Sequence, residues 1–566
     1  MGARRTSVVV AAAAALGAAA LSTTALGTVP AAAAAAPAAA ATAPAAAAGP
    51  AVPRLDWRPC GAGLEQFLCT TAAVPLDHDR PRGPRIQLAL TKLPASGPAE
   101  QRLGTLFTNP GGPGGSGVDF VHQYATIAYT PQVRARYDVL GFDPRGVGRS
   151  APATCYRTAA EEASAPYTTV NYPRTPREEA RYTAISADLA ARCQLQSPVR
   201  FATSSTANVA RDLDLLRQAV GDERLHYVGY SYGTFLGATY GALFPDRVGR
   251  WVLDGAVDPV AWTGTGSGDA APSTPFGLRI RQGEGAKETF DEFVRLCREA
   301  GPDRCSLARL GDPRAVTEDL LERLAKDPVT VPGPDGPVVV TQQLLVQTIF
   351  GGLYQPAYWA DVADLVAALA APAPDVRRVA AAAVRTATPL GTRLRGEDYP
   401  SIGTALASVC VDAAHSRRWW TYPSWADRSA EKSSHFGRFR AWVGLECEFW
   451  QLRDPDAYTG PWQQRTQSPV LVIGTRHDPA TPYRQTAPLA RLFPQGRLLT
   501  LEGWGHTTIG QSRCVDDRIT GYLVDGALPT DGSSCQPDAV PFSGSPAPGV
   551  TTRPARPVGP PISPRW

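Results

Sequence analysis

The sequence is poor in lysine, methionine and histidine, and neither sign of charge is in large excess. Four lysines, one methionine and seven histidines occur among 566 residues, and the formal net charge is +4. A nearly neutral chain of this length lacks the basic footprint of a nucleic-acid binder, so we expect no nucleic-acid partner. The composition also excludes a collagen and a coiled coil. Arginine and alanine are in excess, which we attribute to codon bias and not to function.

The first fifty residues predict the compartment. Arg4 and Arg5 precede an apolar stretch over 8–26, and small-residue cleavage sites of the A-x-A type follow around 31–36. This order is typical of a secretory signal peptide, which we place at residues 1–36. A single membrane anchor is the alternative, but the stretch is rich in alanine and no later segment is long and apolar enough to span a bilayer. We therefore predict a secreted protein, extracellular or associated with the cell wall, with no stable membrane insertion after cleavage.

Low-complexity segments flank the part of the chain that we expect to fold. Alanine and proline repeats over 37–54 and a tail rich in proline, glycine and serine over 536–566 cannot bury a core, so both are predicted to be disordered. Between them, strands alternate with helices over 55–259 and again over 466–535. This alternation predicts an α/β fold with a mostly parallel sheet and helices on both faces. Residues 260–465 break the rhythm and have helical patterns, so we predict a large, mainly helical insertion there, before the strand at 469–473.

Apolar runs and their spacing give the elements of this fold. The predicted strands are 86–93, 103–108, 137–142, 225–229, 251–253, 469–473 and 497–501. The predicted helices are 208–220, 232–244, 286–299, 317–325 and 482–492.

Ten cysteines are an even number in a chain that we expect to be exported, which favours disulfides. Many pairings are possible, so the sequence alone does not fix them. Two of the pairs, Cys60–Cys69 and Cys297–Cys305, would close short loops, which favours them. A structural zinc site is the alternative, but the sequence has no C-x-x-C spacing and no histidine beside the cysteines, and we expect no metal. Sequential pairing would give Cys60–Cys69, Cys155–Cys193, Cys297–Cys305, Cys410–Cys447 and Cys514–Cys535.

A nucleophile motif stands between a predicted strand and a predicted helix. The segment Gly229-Tyr230-Ser231-Tyr232-Gly233 matches G-x-S-x-G, and this motif requires that context. Its glycines relieve crowding at a tight turn that lifts the serine hydroxyl clear of the backbone. We therefore predict Ser231 as a nucleophile.

A serine hydroxyl is a weak nucleophile and needs a base. His506 lies in a glycine-containing loop after the last predicted strand and before a helix. In folds with a G-x-S-x-G elbow the base comes there, last in the order serine, acid, histidine. His226, inside a strand, fits a structural role better, and His477 does not fit this order. We predict His506 as the base.

The base must be oriented by an acid. Asp478 follows the strand at 469–473 and opens the segment Asp-Pro-Ala-Thr-Pro, in which a proline stands at the start of a helix. Asp254 and Asp258 follow the preceding strand and are rival positions, although Asp254 and the glycine after it also make a good turn. We rank Asp478 first.

An oxyanion hole completes this set of residues. The backbone N–H of Tyr232, next after the nucleophile, would supply one donor, and Gly112 in the glycine-rich segment 109–117 would supply the second. Glycines there allow close approach of the backbone to a substrate. A phosphate-binding loop is the competing interpretation, but no Lys-Ser or Lys-Thr closes the motif and Pro113 removes a donor.

Together with Asp-Pro-Arg-Gly-Val-Gly-Arg-Ser at 143–150, these motifs resemble the α/β-hydrolase fold. More narrowly, residues 55–535 resemble the secreted tripeptidyl aminopeptidases of actinobacteria, relatives of the proline iminopeptidases. Pro110 stands where proline iminopeptidases have histidine, as in the tripeptidyl branch. The resemblance implies a serine exopeptidase that releases short peptides, tripeptides in this branch, from free N-termini through a Ser-Asp-His triad and an acyl-enzyme. It also implies that Thr481 supports the site.

The same resemblance has further implications. The α/β parts would form a hydrolase core and residues 260–465 its cap, and we expect a monomer without metal or organic cofactor. Its partners would be peptides or proteins with a free N-terminus. An exopeptidase must recognise an α-amine, and a buried ammonium needs carboxylates. Proline iminopeptidases use cap glutamates for this purpose, so Glu446 and Glu448 are our candidates. The alternative is that these two residues are ordinary surface acids near a disulfide.

Two other functions remain open at this stage. A carboxylic-ester or lipid hydrolase would use the same triad on the same fold, because a fold does not determine the substrate. A non-catalytic binding protein on a hydrolase scaffold is the third possibility, and the intact triad positions disfavour it.

Overall fold

The computed structural model describes residues 49–333, 336–371 and 402–543. The predicted signal peptide, most of the predicted linker and the tail beyond residue 543 lie outside the described residues. In the described ranges, no helix has both the length and the apolar character needed to cross a membrane.

A ten-stranded sheet forms the centre of the fold. Its strands, with the hairpin β8–β9 that lies outside the sheet, are β1 (Arg58–Pro59), β2 (Leu68–Pro75), β3 (Arg85–Leu93), β4 (Gly104–Asn109), β5 (Tyr137–Phe142), β6 (Leu225–Tyr230), β7 (Val248–Asp254), β8 (Val329–Gly333), β9 (Gly336–Val340), β10 (Val470–His477), β11 (Gly496–Trp504) and β12 (Ser533–Cys535). The order across the sheet is β1-β2-β3-β5-β4-β6-β7-β10-β11-β12. Within this sheet, the neighbouring strands from β5 to β12 in that order pair in parallel. The pairs that involve β1, β2 or β3 are antiparallel.

Apolar side chains cover both faces of the parallel strands. Leu106 and Val228 lie in the cluster on one face, whereas Phe107 and Tyr227 lie in the cluster on the other. This alternation along a strand, with burial on both sides, explains why the sequence shows continuous apolar runs at these strands. The predicted α/β fold class is confirmed.

Helices cover the sheet and fill the connections. They are Gly117–Ala128, Pro131–Arg136, Ala159–Ala163, Pro166–Thr169, Pro176–Gln196, Pro198–Ala202, Thr206–Ala219, Tyr232–Leu243, Pro259–Thr263, Phe276–Arg279, Gln282–Ala300, Pro313–Lys326, Gln342–Leu353, Trp359–Ala370, Ile402–Asp412, Tyr422–Ala441, Thr486–Leu492 and Arg513–Asp525.

The described residues between β7 and β10 are mainly helical, as the sequence predicts. Helices Gln282–Ala300 and Tyr422–Ala441 pack against each other there. Buried aromatic residues such as Phe293, Trp359 and Trp442 form an apolar cluster of this region. We call it the helical insertion, with its predicted bounds of 260–465, which remain a prediction together with the other domain bounds.

The first residues of the predicted tail pack onto the fold. Phe542 is buried, and its ring centroid lies 5.7 Å from that of Phe293. The backbone N–H of Asp538 donates to the carbonyl oxygen of Gln511 at 2.8 Å. The ring of Phe542 and the hydrogen bond of Asp538 thus anchor residues whose composition alone predicts disorder, so the predicted start of the tail at residue 536 is too early.

All ten cysteines are paired, and the pairing is the sequential one. The Cys410–Cys447 bond has a Cα–Cα distance of 4.8 Å and joins helix Ile402–Asp412 to the short 3-10 helix Leu445–Phe449. The cysteines therefore form disulfides and no zinc site. One of these bonds fixes the segment that carries Glu446 and Glu448.

Candidate active site

Ser231 occupies the turn between β6 and helix Tyr232–Leu243. Its φ of 56° and ψ of −125° are unfavourable for a residue with a side chain. The backbone N–H of Ser231 donates to the carbonyl oxygen of Asp254, at the end of β7, at 2.9 Å. The neighbouring strand thus holds the turn in its strained conformation.

The motif glycines are explained by close backbone approach. A Cβ on Gly229 would lie 2.4 Å from the carbonyl oxygen of Gly233. A Cβ on Gly233 would lie 2.7 Å from the carbonyl oxygen of Asn109. Larger residues would push strand and helix apart, so the turn that presents Ser231 requires glycine at both positions.

His506 and Asp478 are in direct contact. The Nδ1 atom of His506 lies 3.0 Å from Oδ1 and 2.9 Å from Oδ2 of Asp478. Asp478 follows β10 and His506 follows β11, and these strands are parallel neighbours whose carboxyl ends meet at one edge of the sheet. Both side chains are buried. The strand order thus brings together two residues that the sequence separates.

Three hydrogen bonds fix the Asp478 carboxylate. The backbone N–H groups of Ala480 and Thr481 donate to Oδ1 at 2.8 and 2.9 Å. The hydroxyl of Thr481 donates to Oδ2 at 2.9 Å. The carboxylate is therefore held in one orientation toward the imidazole, and Thr481 contributes to it twice.

The other ring nitrogen of His506, Nε2, is buried and has no hydrogen-bond partner within the described ranges. Tyr354 lies against His506. The backbone carbonyl oxygen of Tyr354 accepts from the backbone N–H of His506 at 2.8 Å, and the centroids of the two rings are 5.1 Å apart. Gly255, which follows β7 beside Ser231, is close as well, since a Cβ there would lie 3.3 Å from Cε1 of His506. Ser231 and the Asp478–His506 pair therefore lie at the same edge of the sheet.

The rival acids have other partners. Oδ2 of Asp254 accepts from the backbone N–H and the hydroxyl of Thr508 at 2.9 and 2.8 Å, and burial raises the pKa of Asp254 to about 6. Asp258 accepts from the backbone N–H of Val260 and caps helix Pro259–Thr263. Asp254 thus holds the loop of His506, whereas Asp478 contacts the imidazole itself.

The rival histidines also lie away from this contact. Nδ1 of His226 accepts from the backbone N–H of Arg250 at 3.1 Å, and burial lowers the pKa of His226 to about 4. The ring of His477 stacks on that of Trp504, with centroids 6.5 Å apart.

The glycine-rich loop lies against the nucleophile. A Cβ on Gly111 would lie 2.9 Å from Cβ of Ser231. Gly112, with a φ of 112°, follows in this loop. Tyr232 is the first residue of its helix, where backbone N–H groups are free to donate and the helix dipole favours negative charge. The loop therefore meets Ser231 at Gly111, one residue before Gly112, while Tyr232 directly follows Ser231 in the chain. The donor roles of Gly112 and Tyr232 remain a prediction.

Glu446 and Glu448 are buried on helix Leu445–Phe449, which does not agree with the surface-acid alternative. Oε1 of Glu446 accepts from the hydroxyl of Tyr167 at 3.4 Å, and Oε2 has no partner in the described part of the chain. Burial raises the pKa of Glu446 to about 7. Glu446 thus keeps an open acceptor.

Glu448 uses its oxygens within the protein. Oε2 accepts from the hydroxyl of Ser416 at 3.0 Å and from the backbone N–H of Arg418 at 3.1 Å. Oε1 accepts from the hydroxyl of Tyr422 at 3.2 Å, and burial raises the pKa of Glu448. Of the two acids, Glu446 is the one with a free oxygen for a ligand.

Tyr354 is a site neighbour that the sequence does not identify. It ends helix Gln342–Leu353 in the helical insertion, far from any motif. No spacing or composition signal distinguishes it from the other aromatic residues of that region, because its contact with His506 arises from tertiary packing.

Family models match two parts of the chain. One that describes the alpha/beta hydrolase fold matches residues 104–281, and one that describes a TAP-like protein matches residues 432–535. The first range includes the Ser231 turn, and the second includes Asp478 and His506.

Three relatives match over most of the chain. It is 32% identical to serine protease Hip1 of Mycobacterium tuberculosis, over 85% of this chain and 91% of that protein. It is 31% identical to the tripeptidyl aminopeptidase of Streptomyces lividans, over 86% of this chain and 87% of that protein. It is also 31% identical to carboxylesterase B of Mycobacterium tuberculosis, over 86% and 90%.

The fold and these relatives define a serine hydrolase with the α/β-hydrolase fold. Within that class, the chain belongs to the family of the tripeptidyl aminopeptidases. The resemblance found in the sequence is confirmed.

Proposed function

We propose that this protein is a secreted serine exopeptidase that removes short peptides, three residues at a time, from free N-termini. The peptidase relatives support a peptide substrate, and the name of the Streptomyces lividans relative supports the tripeptide. The five disulfides support export. The observation that carries the proposal is the contact of His506 with Asp478 at the sheet edge where the strained turn presents Ser231.

The proposed reaction is acyl transfer. The Ser231 hydroxyl attacks the scissile carbonyl carbon while Nε2 of His506 takes its proton. Asp478 accepts from Nδ1–H, which keeps Nε2 available as a base and stabilises the imidazolium. The backbone N–H groups of Tyr232 and Gly112 donate to the oxyanion.

The leaving amine then takes the proton from Nε2 and departs. Water attacks the acyl-enzyme with His506 as base, the released acid is the short peptide, and Ser231 regains its hydroxyl proton. Thr481 supports this cycle by fixing the acid that orients the base. The protein acts as a monomer, and its partner is a peptide or protein with a free N-terminus.

Recognition of the N-terminus is assigned to the buried glutamates. A carboxylate with an open oxygen in an enclosed site suits an ammonium, because a buried charge needs a partner. Glu446 has that oxygen, and Glu448 adds negative charge from the same short helix.

Product analysis by mass spectrometry tests the proposal. The protein is incubated with peptides of six to nine residues, each with a free or an acetylated N-terminus. We expect tripeptides from the free peptides and no product from the acetylated ones, because the acetyl group removes the ammonium. Release of single residues or dipeptides would refute the tripeptide assignment, and equal cleavage of acetylated peptides would refute the exopeptidase.

A carboxylic-ester hydrolase is the second candidate, and the match to carboxylesterase B favours it. It predicts fast hydrolysis of small acyl esters together with no release of peptides. The same assay with an added acyl ester therefore separates the two functions.

Glu446→Gln should raise KM for a tripeptide anilide with a free amine by about 10- to 100-fold, the range of a lost charged hydrogen bond. Hydrolysis of p-nitrophenyl acetate, which has no amine, should change little. Glu448→Gln is the variant for comparison, and we expect it to raise KM less, because the oxygens of Glu448 already have partners. A larger effect of Glu448→Gln would instead assign the amine to Glu448.

The raised pKa of Glu446 gives the same test a pH readout. A carboxyl with a pKa of about 7 is increasingly protonated as the pH falls through 7, and the neutral form cannot pair with an ammonium. We therefore expect kcat/KM for the peptide to fall more steeply below pH 7 than kcat/KM for the ester. Glu446→Gln should make the two profiles parallel, and a persistent difference would contradict the assignment.

A further inference from the structure

Arg440 is fully buried near the end of helix Tyr422–Ala441, and it lacks the partners that a buried cation requires. Its Nη2 contacts Oε1 of Gln282, whereas Nε and Nη1 have no hydrogen-bond partner anywhere in the described part of the chain. Buried polar groups are nearly always hydrogen-bonded, so two open donors on one buried guanidinium need an explanation. The explanation that the surroundings support is a bound ligand.

Aromatic rings stabilise the charge of Arg440 without using its N–H groups. The guanidinium carbon lies 5.0 Å from the ring centroid of Phe350 and 4.9 Å from that of Phe439. Contacts with ring faces favour a cation but leave the N–H edges free to donate in the guanidinium plane. Burial lowers the pKa of Arg440 to about 10, so the group keeps its charge at neutral pH.

Two sets of contacts connect Arg440 to the reaction centre and to Glu446. On one side, the ring of Phe350 lies 5.4 Å from that of Tyr354, which in turn lies 5.1 Å from the ring of His506. On the other side, the electrostatic neighbours of Arg440 include Tyr167, whose hydroxyl donates to Glu446. Tyr354 is therefore a neighbour of both Arg440 and His506. Tyr167 is a neighbour of both Arg440 and Glu446.

The backbone of a short peptide offers acceptors for these open donors. Three extended residues span about 10 Å, and their backbone presents carbonyl oxygens between the amine and the scissile bond. If the amine reaches Glu446 and the scissile carbonyl reaches Ser231, those oxygens must pass through the region between them. A guanidinium with open N–H groups is the donor that carbonyl and carboxylate oxygens require there.

We infer that Arg440 is a second substrate-binding residue, whose Nε–H and Nη1–H donate to a carbonyl or carboxylate oxygen of the peptide segment that is removed. The inference rests on the proposed function, because it needs a peptide amine at Glu446. It makes Arg440 and Glu446 two parts of one peptide-binding site. Arg440 contributes to binding and takes no part in the transfer of protons.

The test compares kcat and KM of Arg440→Gln with those of the unaltered enzyme. The substrates are tripeptide anilides with a free amine, whose first residue is either alanine or aspartate, and p-nitrophenyl acetate. We expect KM for the peptides to rise about 10-fold or more, since a hydrogen bond to a charged group is lost. We expect kcat for the ester to stay within twofold. Equal loss for both peptides identifies a backbone carbonyl, and loss confined to the aspartate peptide identifies a side-chain carboxylate.

Arg279→Gln is the matched control. Arg279 is also buried with unpartnered Nε and Nη2, but its Nη1 donates to the carbonyl oxygen of Ala414 and its electrostatic neighbours are Tyr422 and Glu448. Loss of the guanidinium there should change the ratio of peptide to ester activity much less than Arg440→Gln does, because Arg279 lies over the ring of Phe276 and not over those of Phe350 and Phe439. Arg440→Lys provides a second variant that keeps the charge, and its KM should lie between those of the other two forms because lysine lacks the planar fork.

The outcomes separate this inference from the proposed function. If the unaltered enzyme cleaves free-amine peptides but Arg440→Gln and Arg440→Lys do not change KM, the inference alone is wrong. Equal losses on peptide and ester would also overturn it, because they indicate general damage to the site. If the unaltered enzyme cleaves the ester and no peptide, the proposed function fails and the inference fails with it.

Discussion

Replacing Ser231 with alanine should lower kcat by about 10⁵- to 10⁶-fold on peptide and ester substrates alike. Loss of the hydroxyl removes the atom that forms the acyl-enzyme, and only the oxyanion donors and substrate binding remain. The backbone of the turn does not depend on the side chain, since the N–H of residue 231 donates to the Asp254 carbonyl oxygen. Steady-state assays, together with labelling by a fluorophosphonate, measure the effect.

Ser186→Ala is the control for this variant. Ser186 is a buried serine in helix Pro176–Gln196, and its hydroxyl has no partner among the described residues. Its removal should leave kcat and labelling unchanged. If the Ser231→Ala protein kept its label, another residue would be the nucleophile and the proposed mechanism would be wrong.

Asp478→Asn should lower kcat by about 10⁴-fold with a much smaller change in KM. An amide cannot stabilise the imidazolium, and its NH₂ group competes with Nδ1–H, which favours the tautomer that blocks Nε2. The effect should be large because Nδ1 of His506 lies within 3.0 Å of both carboxylate oxygens. The pH dependence of kcat/KM and single-turnover rates measure it.

Asp254→Asn distinguishes the two acids. An asparagine oxygen still accepts from Thr508, and the burial that raises the pKa of Asp254 disfavours a charged side chain at this position. We expect a loss of less than about 10-fold, because Asp254 acts on the loop and not on the ring. The reverse order of effects would make Asp254 the catalytic acid.

The central sheet was predictable because each parallel strand is buried on both faces. The predicted strand 137–142 coincides with β5, and the predicted strand 225–229 falls one residue short of β6. Runs of apolar residues bounded by glycine or polar turns leave few alternatives at such positions. The order of the motifs then followed from the same pattern, since Ser231, Asp478 and His506 each come after a predicted strand.

Other features were beyond the sequence because they arise from tertiary packing. The predicted helix 482–492 begins with a separate 3-10 turn, Tyr483–Gln485. This turn follows Ala480 and Thr481, whose backbone N–H groups hold Asp478. Strand β2 was missed, since its two threonines followed by two alanines give a weak apolar signal. Arg440 belongs to no motif. Only the fold shows that it is buried with no acidic partner among the described residues. Its position in the helical insertion gave no reason to separate it from the many other arginines.

Asp254 bonds in two directions: its carbonyl oxygen accepts from Ser231, and its carboxylate accepts from Thr508, two residues after His506. The strand that carries Asp254, β7, lies between β6, which leads to Ser231, and β10, which leads to Asp478. One residue of β7 therefore ties the turn that presents Ser231 to the loop that carries His506, so the spacing between the two does not rest on side-chain packing alone.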